Sequence, residues 1–545
     1  MSDTEHPAVI DAVVVGAGLA GLYQLYRLRE RGARVRVLEA GDDVGGTWYW
    51  NRYPGARCDI ESMAYSYSFS SELEQEWEWS ERYAGQPELL RYIRHVADRF
   101  GLRRHITFGT SVTRAVYDSR THTWTVTTDG GEEVTARFVV MATGCLSRAS
   151  VPDLPGLDDY RGPVLHTGRW PHEEVDFTGR RVAVIGTGSS GIQAIPVIAG
   201  QAAEVTVFQR TPNFSFPARN RPIGRRESAE RKANYAEFRA WLRATPVGIP
   251  RPLPERGALE VTAREREAAY QSAWDAGVLG GIQASFNDTL TNRQANDLAA
   301  EFVRAKIRQI VDDPETAAAL CPTGFPLGTK RPCLDTDYYA TFNLPHVRLV
   351  DLRRSPLVSL TERGVRTTGA EYEADAVVLA TGFDAMTGAL RAVDIRGRDG
   401  AALNEVWAAG PRNHLGLLTA GFPNLFTVTG PLSPSVLSNM LISIEQHVDW
   451  ITDCIGHLGD HGLTEIDATV EAQDAWVRHV AELAAGTLYP EAASWYQGAN
   501  IPGKPRVFMP YLGGVGAYRE ECDAVAAAGY RGFTLSRLPD AHPTA

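Results

Sequence analysis

An α/β protein with two Rossmann-like dinucleotide-binding domains and an inserted helical domain is what three features of this 545-residue sequence predict. A G-x-G-x-x-G signature follows an apolar, β-branched run and opens a helical stretch at Gly16, Gly18 and Gly21. The same pattern returns at Gly186, Gly188 and Gly191. Between residues 212 and 328 the alternation of strand and helix gives way to charged segments of helical spacing.

Composition bounds the rest. A chain of this length exceeds what one hydrophobic core organises, so two or three domains are expected. A formal charge of −11 and a pI near 5.7, with no basic block to offset them, argue against nucleic acid or an anionic membrane as partner. No apolar run approaches the roughly 20 residues of a membrane helix, and the acidic N-terminus lacks the layout of a signal peptide. The expectation is a cytoplasmic, enzyme-like protein. Its six cysteines (Cys58, Cys145, Cys321, Cys333, Cys454 and Cys522) form no C-x-x-C pair, which predicts buried, reduced thiols and neither a metal site nor a dithiol centre.

In the first unit, AVVV at 12–15 reads as a strand buried on both faces. Gly16 makes the tight turn, Gly18 lets the backbone approach a pyrophosphate, and Gly21 lets helix and strand pack closely. The helix ends at Gly32, a C-cap glycine. Glu39, 23 residues after Gly16, closes the second strand where a carboxylate takes ribose hydroxyls. Strand, helix, second strand and acid stand in register, and the N-terminal position together with the loop that follows favours FAD. That loop, GGTWYWNRYPGARCDIES, is too rich in Gly, Pro and large rings for a regular element and predicts a shaped wall beside an isoalloxazine. YSYSF at 65–69 reads as an alternating strand with one aromatic face in the core. An amphipathic helix starting near Gln86 or Pro87 and four strands, with a hairpin turn at 129–131, lead to the A-T-G at 142–144.

The second unit repeats the pattern with one change. The offset that reaches Glu39 in the first site reaches Gln209 in the second, and Arg210 and Thr211 follow. A carboxylate there would repel a 2′-phosphate; a neutral residue followed by arginine attracts it, so this site is read as one for NADPH. The charged helices of 212–328 are read as solvated faces with no chemistry. Lys330 and Arg331 precede a return to strand patterns, and a second A-T-G at 380–382 marks the return crossing.

With both glycine sites and both A-T-G ends in hand, two longer motifs become legible. Between the units, Tyr160, Gly162, His166, Trp170 and Pro171 fit F-x-G-x-x-x-H-x-x-x-W-P with tyrosine for phenylalanine. Gly45, Gly46, Trp48, Tyr53, Pro54, Gly55 and Asp59 fit G-G-x-W-x-x-x-x-Y-P-G-x-x-x-D. On these motifs the chain, through nearly its whole length, resembles the type I Baeyer–Villiger monooxygenases, of the class B flavoprotein monooxygenases, and in its loops the phenylacetone and steroid monooxygenase branch.

The resemblance implies FAD and NADPH as cofactors, and a ketone and molecular oxygen as substrates. The product is an ester or lactone, formed through a flavin peroxide and a tetrahedral adduct. It implies Arg331 as the cation that stabilises the developing oxyanions, with Asp59 holding its guanidinium. Gly46, Thr47, Trp48, Asp59 and Tyr65 are implied on the flavin side. Ser189, Arg210, Thr211, Lys330 and Trp495 are implied on the NADPH side. Ile60, Pro434, Ser435, Val436, Leu437, Met440 and Met509 are implied in the substrate pocket, and His166 in a structural or conformational role. Leu432 stands where the resemblance implies glycine. The expected domains are FAD-binding at 1–145 and 383–545, NADP-binding at 146–211 and 329–382, and the insertion at 212–328. The competing readings are an N- or S-oxygenating flavin monooxygenase, which usually lacks the Trp170-Pro171 pair, and an uncoupled NADPH oxidase, which needs no Arg331. A flavin disulfide reductase would need paired cysteines.

Overall fold

The computed structural model describes residues 9–251 and 253–538. Residues 1–8, on which the reading of the N-terminus rests, lie outside the described residues, as do Pro252 and residues 539–545. The strand Ile10–Val15 is flanked in parallel by Val35–Leu38 and Glu133–Met141, in an eight-stranded sheet. Val112–Asp118 and Thr123–Thr128 extend it as an antiparallel meander. Leu425–Thr427 comes back from the far end of the chain to pair in parallel with Glu133–Met141. Helix Leu19–Glu30 packs on helix Met440–Asp460, where Tyr23 and Arg27 both donate to Asp449 at 2.7 Å. Both ends of the chain thus build one unit.

The second sheet has five strands, all parallel, in the order Val347–Asp351, Glu204–Gln209, Arg181–Ile185, Ala376–Leu379 and Val164–His166. The segment carrying Tyr160 to Trp170, expected as a joint between units, is part of this sheet: Val164–His166 is its edge strand. Three residues after Pro163 are too short a run to stand out in the sequence. Their pairing is supplied by the partner strand, Val377 N–H donating to Pro163 O and Thr167 N–H to Leu379 O.

The insertion holds the helices Arg225–Ala233, Tyr235–Ala244, Ala263–Ala276, Arg293–Ile310 and Pro314–Leu320. Thr262 and Glu265 form a reciprocal capping box at the start of the third. A short parallel ladder between Ser215–Pro217 and Cys333–Asp335 ties its two ends together.

Three expectations are corrected. The loop after Gly46 contains a single helical turn, Thr47–Trp50. Residues 65–69 form no strand, because side chains and not a neighbouring strand satisfy their backbone. Tyr67 N–H donates to the Tyr92 hydroxyl, and Ser68 N–H to the Glu445 carboxylate. The charged helices are not wholly solvated faces. Arg239, 4% exposed, pairs with Glu74 at 2.8 Å and donates to Ala64 O and Ser66 Oγ, pinning the insertion to that same segment.

Candidate active site

The first glycine site is closed by contact. Gly16 has φ +102°, and a Cβ there would lie 2.7 Å from Ala142 O. A Cβ on Gly21 would fall 1.8 Å from Gly16 O, so helix and turn touch as the motif requires. Gly18 and Gly46 face each other: a Cβ on Gly46 would lie 2.9 Å from Gly18 Cα. Each is the N-cap of a helix and neither supplies a side-chain cap. Buried Glu39 is aimed by Ala17 N–H at 2.5 Å and Gly41 N–H at 2.7 Å. Burial pushes its carboxyl up in pKa, against those two bonds. A pyrophosphate cradle beside a buried ribose acceptor fits FAD. Trp48 and Tyr65 are buried side by side, the indole N–H 3.4 Å from the phenol oxygen.

The rest of the fingerprint loop faces the other unit. Tyr53 Oη donates to Gln193 Oε1 at 2.8 Å, and a Cβ on Gly55, φ +80°, would meet Gln193 O at 2.4 Å. Gln193 belongs to helix Ser189–Ala199 of the second unit. The expected flavin wall therefore divides, with Trp48 turned inward and Tyr-Pro-Gly laid across the seam between units.

The second glycine site repeats the contacts and leaves its middle open. A Cβ on Gly186, φ +112°, would lie 2.4 Å from Ala380 O, and one on Gly191 would lie 2.3 Å from Gly186 O. Ala380 thus does for the second unit what Ala142 does for the first, which gives both A-T-G ends a packing reason. Nothing lies within 4 Å of a Cβ on Gly188. Gln209 is fully buried and donates to Ala319 O, so it faces away from any ribose. Arg210 is exposed, and Lys330 sits over the Phe325 ring at 4.7 Å. Burial and the Arg210 charge hold the Lys330 ammonium below its ordinary range. Neither cation has an ion-pair partner among the described residues. Two neighbouring cations facing no carboxylate fit the 2′-phosphate of NADPH. Thr211 O accepts from Thr187 Oγ1 at 3.1 Å, fastening this corner to the glycine loop, and Ser189 Oγ accepts from Cys333 Sγ at 3.1 Å.

Arg331 lies where the units meet. Its Nε and Nη2 donate to the Asp59 carboxylate at 3.0, 2.8 and 2.9 Å, and its Nη1 donates to Val436 O at 2.8 Å. The side chains are only 23% and 20% exposed. Burial alone would lower the pKa of the guanidinium; the Asp59 carboxylate more than offsets that, so the cation is permanent. Val436, Leu437, Met440, Met509 and Trp495 share one apolar cluster, whereas Ile60 packs into the main core. Ser435 is buried beside Cys145, with 3.5 Å between Oγ and Sγ. Leu432 has φ +68°, the left-handed backbone that explains the expected glycine. Its N–H donates to Met509 O at 2.6 Å and its O accepts from Trp476 Nε1 at 3.0 Å, bonds that hold a conformation costing about 1–2 kcal/mol.

Sequence reasoning missed Tyr489 and Tyr496, buried members of the same cluster. Burial pushes the Tyr489 hydroxyl up to about 12, against the charges of Arg251 and Arg331, and raises Tyr496 further against Arg331. The adjacent S-W-Y was the available signal, but only the tryptophan was read from it.

The edge strand carries the remaining motif. Tyr160 Oη donates to Ala374 O at 2.8 Å, and a Cβ on Gly162 would lie 2.4 Å from that hydroxyl. His166 Nδ1 accepts from Gly168 N–H at 2.9 Å, so its proton is on Nε2, 3.2 Å from Thr381 Oγ1 and 3.4 Å from Ser150 O. Burial lowers its pKa, and the neutral ring links the outgoing and returning crossings. Trp170 is buried against Phe177, and past Pro171 the His172 ring lies 4.7 Å from Tyr49 of the fingerprint loop. The segment beyond Trp495 is fastened to the return crossing. Asn500 donates to Phe383 O at 2.7 Å, and Lys504 to Asp384 at 2.6 Å and Ala385 O at 2.8 Å.

Residues 13–222 match the family model described as pyridine nucleotide-disulphide oxidoreductase. All six cysteines are free and buried, so the match speaks for the dinucleotide fold and not for a dithiol centre. The chain is 53% identical to a solved steroid monooxygenase bound to NADP, with TM-score 0.94, covering 97% of this chain and 100% of that one. It is 43% identical to a Baeyer-Villiger monooxygenase of Pseudooceanicola batsensis, over 98% of this chain and 97% of the relative. It is also 43% identical to a phenazine N-monooxygenase of Lysobacter antibioticus, over 97% of each.

Proposed function

The chain belongs to the type I Baeyer–Villiger monooxygenases, and from that membership we propose which of its residues carry the reaction. It is an FAD- and NADPH-dependent monooxygenase that places one oxygen atom beside a ketone carbonyl, giving an ester or lactone. FAD, reduced by NADPH, supplies the activated oxygen; the protein binds, orients and stabilises charge. Glu39 and the facing N-caps at Gly18 and Gly46 hold FAD, with Thr47, Trp48 and Tyr65 on the flavin side. Gly188, Ser189, Thr211 and Trp495 hold NADPH, with its 2′-phosphate on Arg210 and Lys330.

Arg331 is the catalytic cation. Negative charge develops on the substrate carbonyl oxygen, and a fixed guanidinium in a water-poor pocket stabilises it without reorganising. Asp59 sets the position of that guanidinium, and its carboxylate tempers the positive field. The single observation that supports this best is the fourfold anchoring of Arg331 by Asp59 and Val436 O at the seam of the two units. The apolar cluster at Val436, Leu437, Met440 and Met509, with Ile60, Pro434 and Ser435 beside it, shapes the pocket for ketones. The domain assignment follows the strand returns: 1–145 with 383–545 for FAD, 146–211 with 329–382 for NADPH, and 212–328 as the insertion.

A second reading has the N-oxygenating relative behind it, since similarity at the same level accompanies that chemistry. Oxygen transfer to an amine nitrogen creates no substrate oxyanion and needs no Arg331. Purified holoenzyme screened on cyclic, aryl and steroidal ketones and on aromatic N-heterocycles separates the two. Ester or lactone carrying one atom from labelled oxygen is expected. N-oxide as the sole product, or hydrogen peroxide alone, overturns the assignment.

A further inference from the structure

Arg251 is a half-buried cation with no ion pair among the described residues. Its Nε is sealed from solvent and has no hydrogen-bond partner, and its one bond is a long 3.4 Å contact from Nη1 to Gly280 O. No carboxylate pairs with it among the described residues. The Oε1 of Gln283 is likewise sealed and unpartnered. Nη1 and that oxygen lie 2.5 and 3.6 Å from one point, the place a Cβ on Gly280 would take, so the Arg251 fork and the unpartnered Gln283 amide oxygen converge there. A protein interior does not favour an isolated charge, and removing it or supplying its counter-ion are the two ways to relieve the cost.

The surroundings say where a counter-ion would come from. Arg251 lines a groove of about 590 Å³ that opens to solvent beside Arg231, Asn234, Glu237, Phe238, Trp241 and Pro250, and the Glu237 carboxylate makes no ion pair with it. Trp241 is 44% exposed on its rim, and Arg231 lies over the Phe238 ring at 3.6 Å. On its inner side the link is Gln283: its Nε2 and the Leu290 Cδ2 both lie 2.9 Å from the place a Cβ on Gly328 would take, and Leu290 packs on the cluster that holds Tyr489. Tyr489 packs with Val436 and Met509 in the cluster at the reacting end. Arg251 with Gln283 therefore bridges an open groove and the cluster beside the proposed catalytic cation.

We propose that Arg251 is a specificity residue that binds the carboxylate of an oxo acid, so that the preferred substrates are ketones carrying a carboxylate remote from the carbonyl. The carboxylate takes the Arg251 fork bidentately, the Gln283 amide turns its N–H₂ toward the same group, and the carbonyl lies toward Arg331. The inference rests on the reading of Arg331 as the site of oxygen insertion.

The test is a series of methyl ketones of increasing chain length, each ending in a carboxylate and each paired with its methyl ester. kcat/KM is measured on holoenzyme with product analysis. At the best length the acid is expected to exceed its ester by about 10-fold, about 1.4 kcal/mol. Arg251→Met should bring that ratio to one or below, and Arg251→Lys should keep part of it. An acid preference that survives Arg251→Met, or preference for the ester at every length, overturns the proposal. Binding to oxidised holoenzyme, followed by the perturbed flavin absorbance, separates it from the ketone assignment. Acids that bind through Arg251 and yield no ester would sink the latter and leave this one standing. Acids that bind no better to the wild-type chain than to Arg251→Met would sink this one whatever the products.

Discussion

Replacing Arg331 with alanine should abolish oxygen insertion while leaving flavin reduction intact, and the structure fixes the scale of both effects. The guanidinium makes three contacts to Asp59 and one to Val436 O. Removing it strands a carboxylate whose side chain is only 20% exposed. Breaking a buried pair by deleting one partner costs about 3–5 kcal/mol, and the residual exposure here places the stability loss near about 3 kcal/mol. Activity should fall further than stability explains. Losing one fixed donor at a developing oxyanion lowers rates by about 10²–10³, and Arg331 contributes a full charge, so ester formation should drop by at least about 10³-fold. Anaerobic stopped-flow at the flavin absorbance reads reduction by NADPH; gas chromatography reads ester; a peroxidase-coupled assay reads hydrogen peroxide. The expected pattern is reduction within a few-fold of wild type, peroxide in place of ester, and an unfolding midpoint shifted down. The double variant Asp59→Ala/Arg331→Ala removes the stranded carboxylate and should regain stability without regaining ester. Normal ester yield from Arg331→Ala, or ester recovered together with stability in the double variant, would falsify the role given to this cation.

Three further outcomes are expected. Arg210→Ala and Lys330→Ala should each cut the kcat/KM preference for NADPH over NADH by about 10-fold or more, the worth of a charge-assisted phosphate contact; an unchanged preference removes the phosphate assignment. Burial pushes His414 from an ordinary 6.5 down to about 4, so the fold refuses a proton that the unfolded chain accepts. The sign follows: this contribution, about 3 kcal/mol, is whole above pH 6.5 and is lost as pH falls toward about 4. Denaturant midpoints should decline over that window, and His414→Gln should flatten the decline; equal slopes would contradict it. Lys504→Ala should free the segment beyond Trp495 from Asp384 and Ala385, raising the peroxide formed per NADPH several-fold in the presence of ketone, with Lys504→Arg intermediate. A coupling ratio equal to wild type in Lys504→Ala would show that the ion pair does not hold that segment for turnover.

What the sequence made legible is what the backbone dictates. Gly16, Gly21, Gly186 and Gly191 each sit where a Cβ would strike a neighbouring backbone oxygen, so the residue type encodes the contact directly. The buried parallel strands and amphipathic helices were readable because their signals are local and periodic. Contacts between distant segments were not. YSYSF alternates like a strand, yet its bonds go to Tyr92, Arg239 and Glu445, none of which the local pattern can announce. Tyr53 and Gly55 were placed beside flavin by their neighbours in the chain, whereas Gln193 decides where they pack. Arg239 and Arg251 are both arginines of the insertion, one in a charged helical stretch and one in the Pro-rich GIPRPLPERG between helices. Only the fold shows that one meets a carboxylate and the other does not.

The two glycine sites share a motif and differ in closure. In the first, Gly18 is met by Gly46, so a second segment lies across the mouth of the turn, and Glu39 is held at its floor by two peptide N–H groups. Leaving such a site requires the fingerprint loop to move, and that loop is itself fastened by Tyr53 and Gly55 to helix Ser189–Ala199. In the second, nothing among the described residues lies within 4 Å of a Cβ on Gly188, and Arg210 on the rim is exposed. A dinucleotide there would meet the exposed Arg210 and the partly buried Lys330. The difference in closure comes down to one local contact, present at Gly18 and absent at Gly188 among the described residues. The tie between Gly55 and Gln193 adds a consequence: the loop that lies over Gly18 and carries Asp59 is packed against the second unit as well.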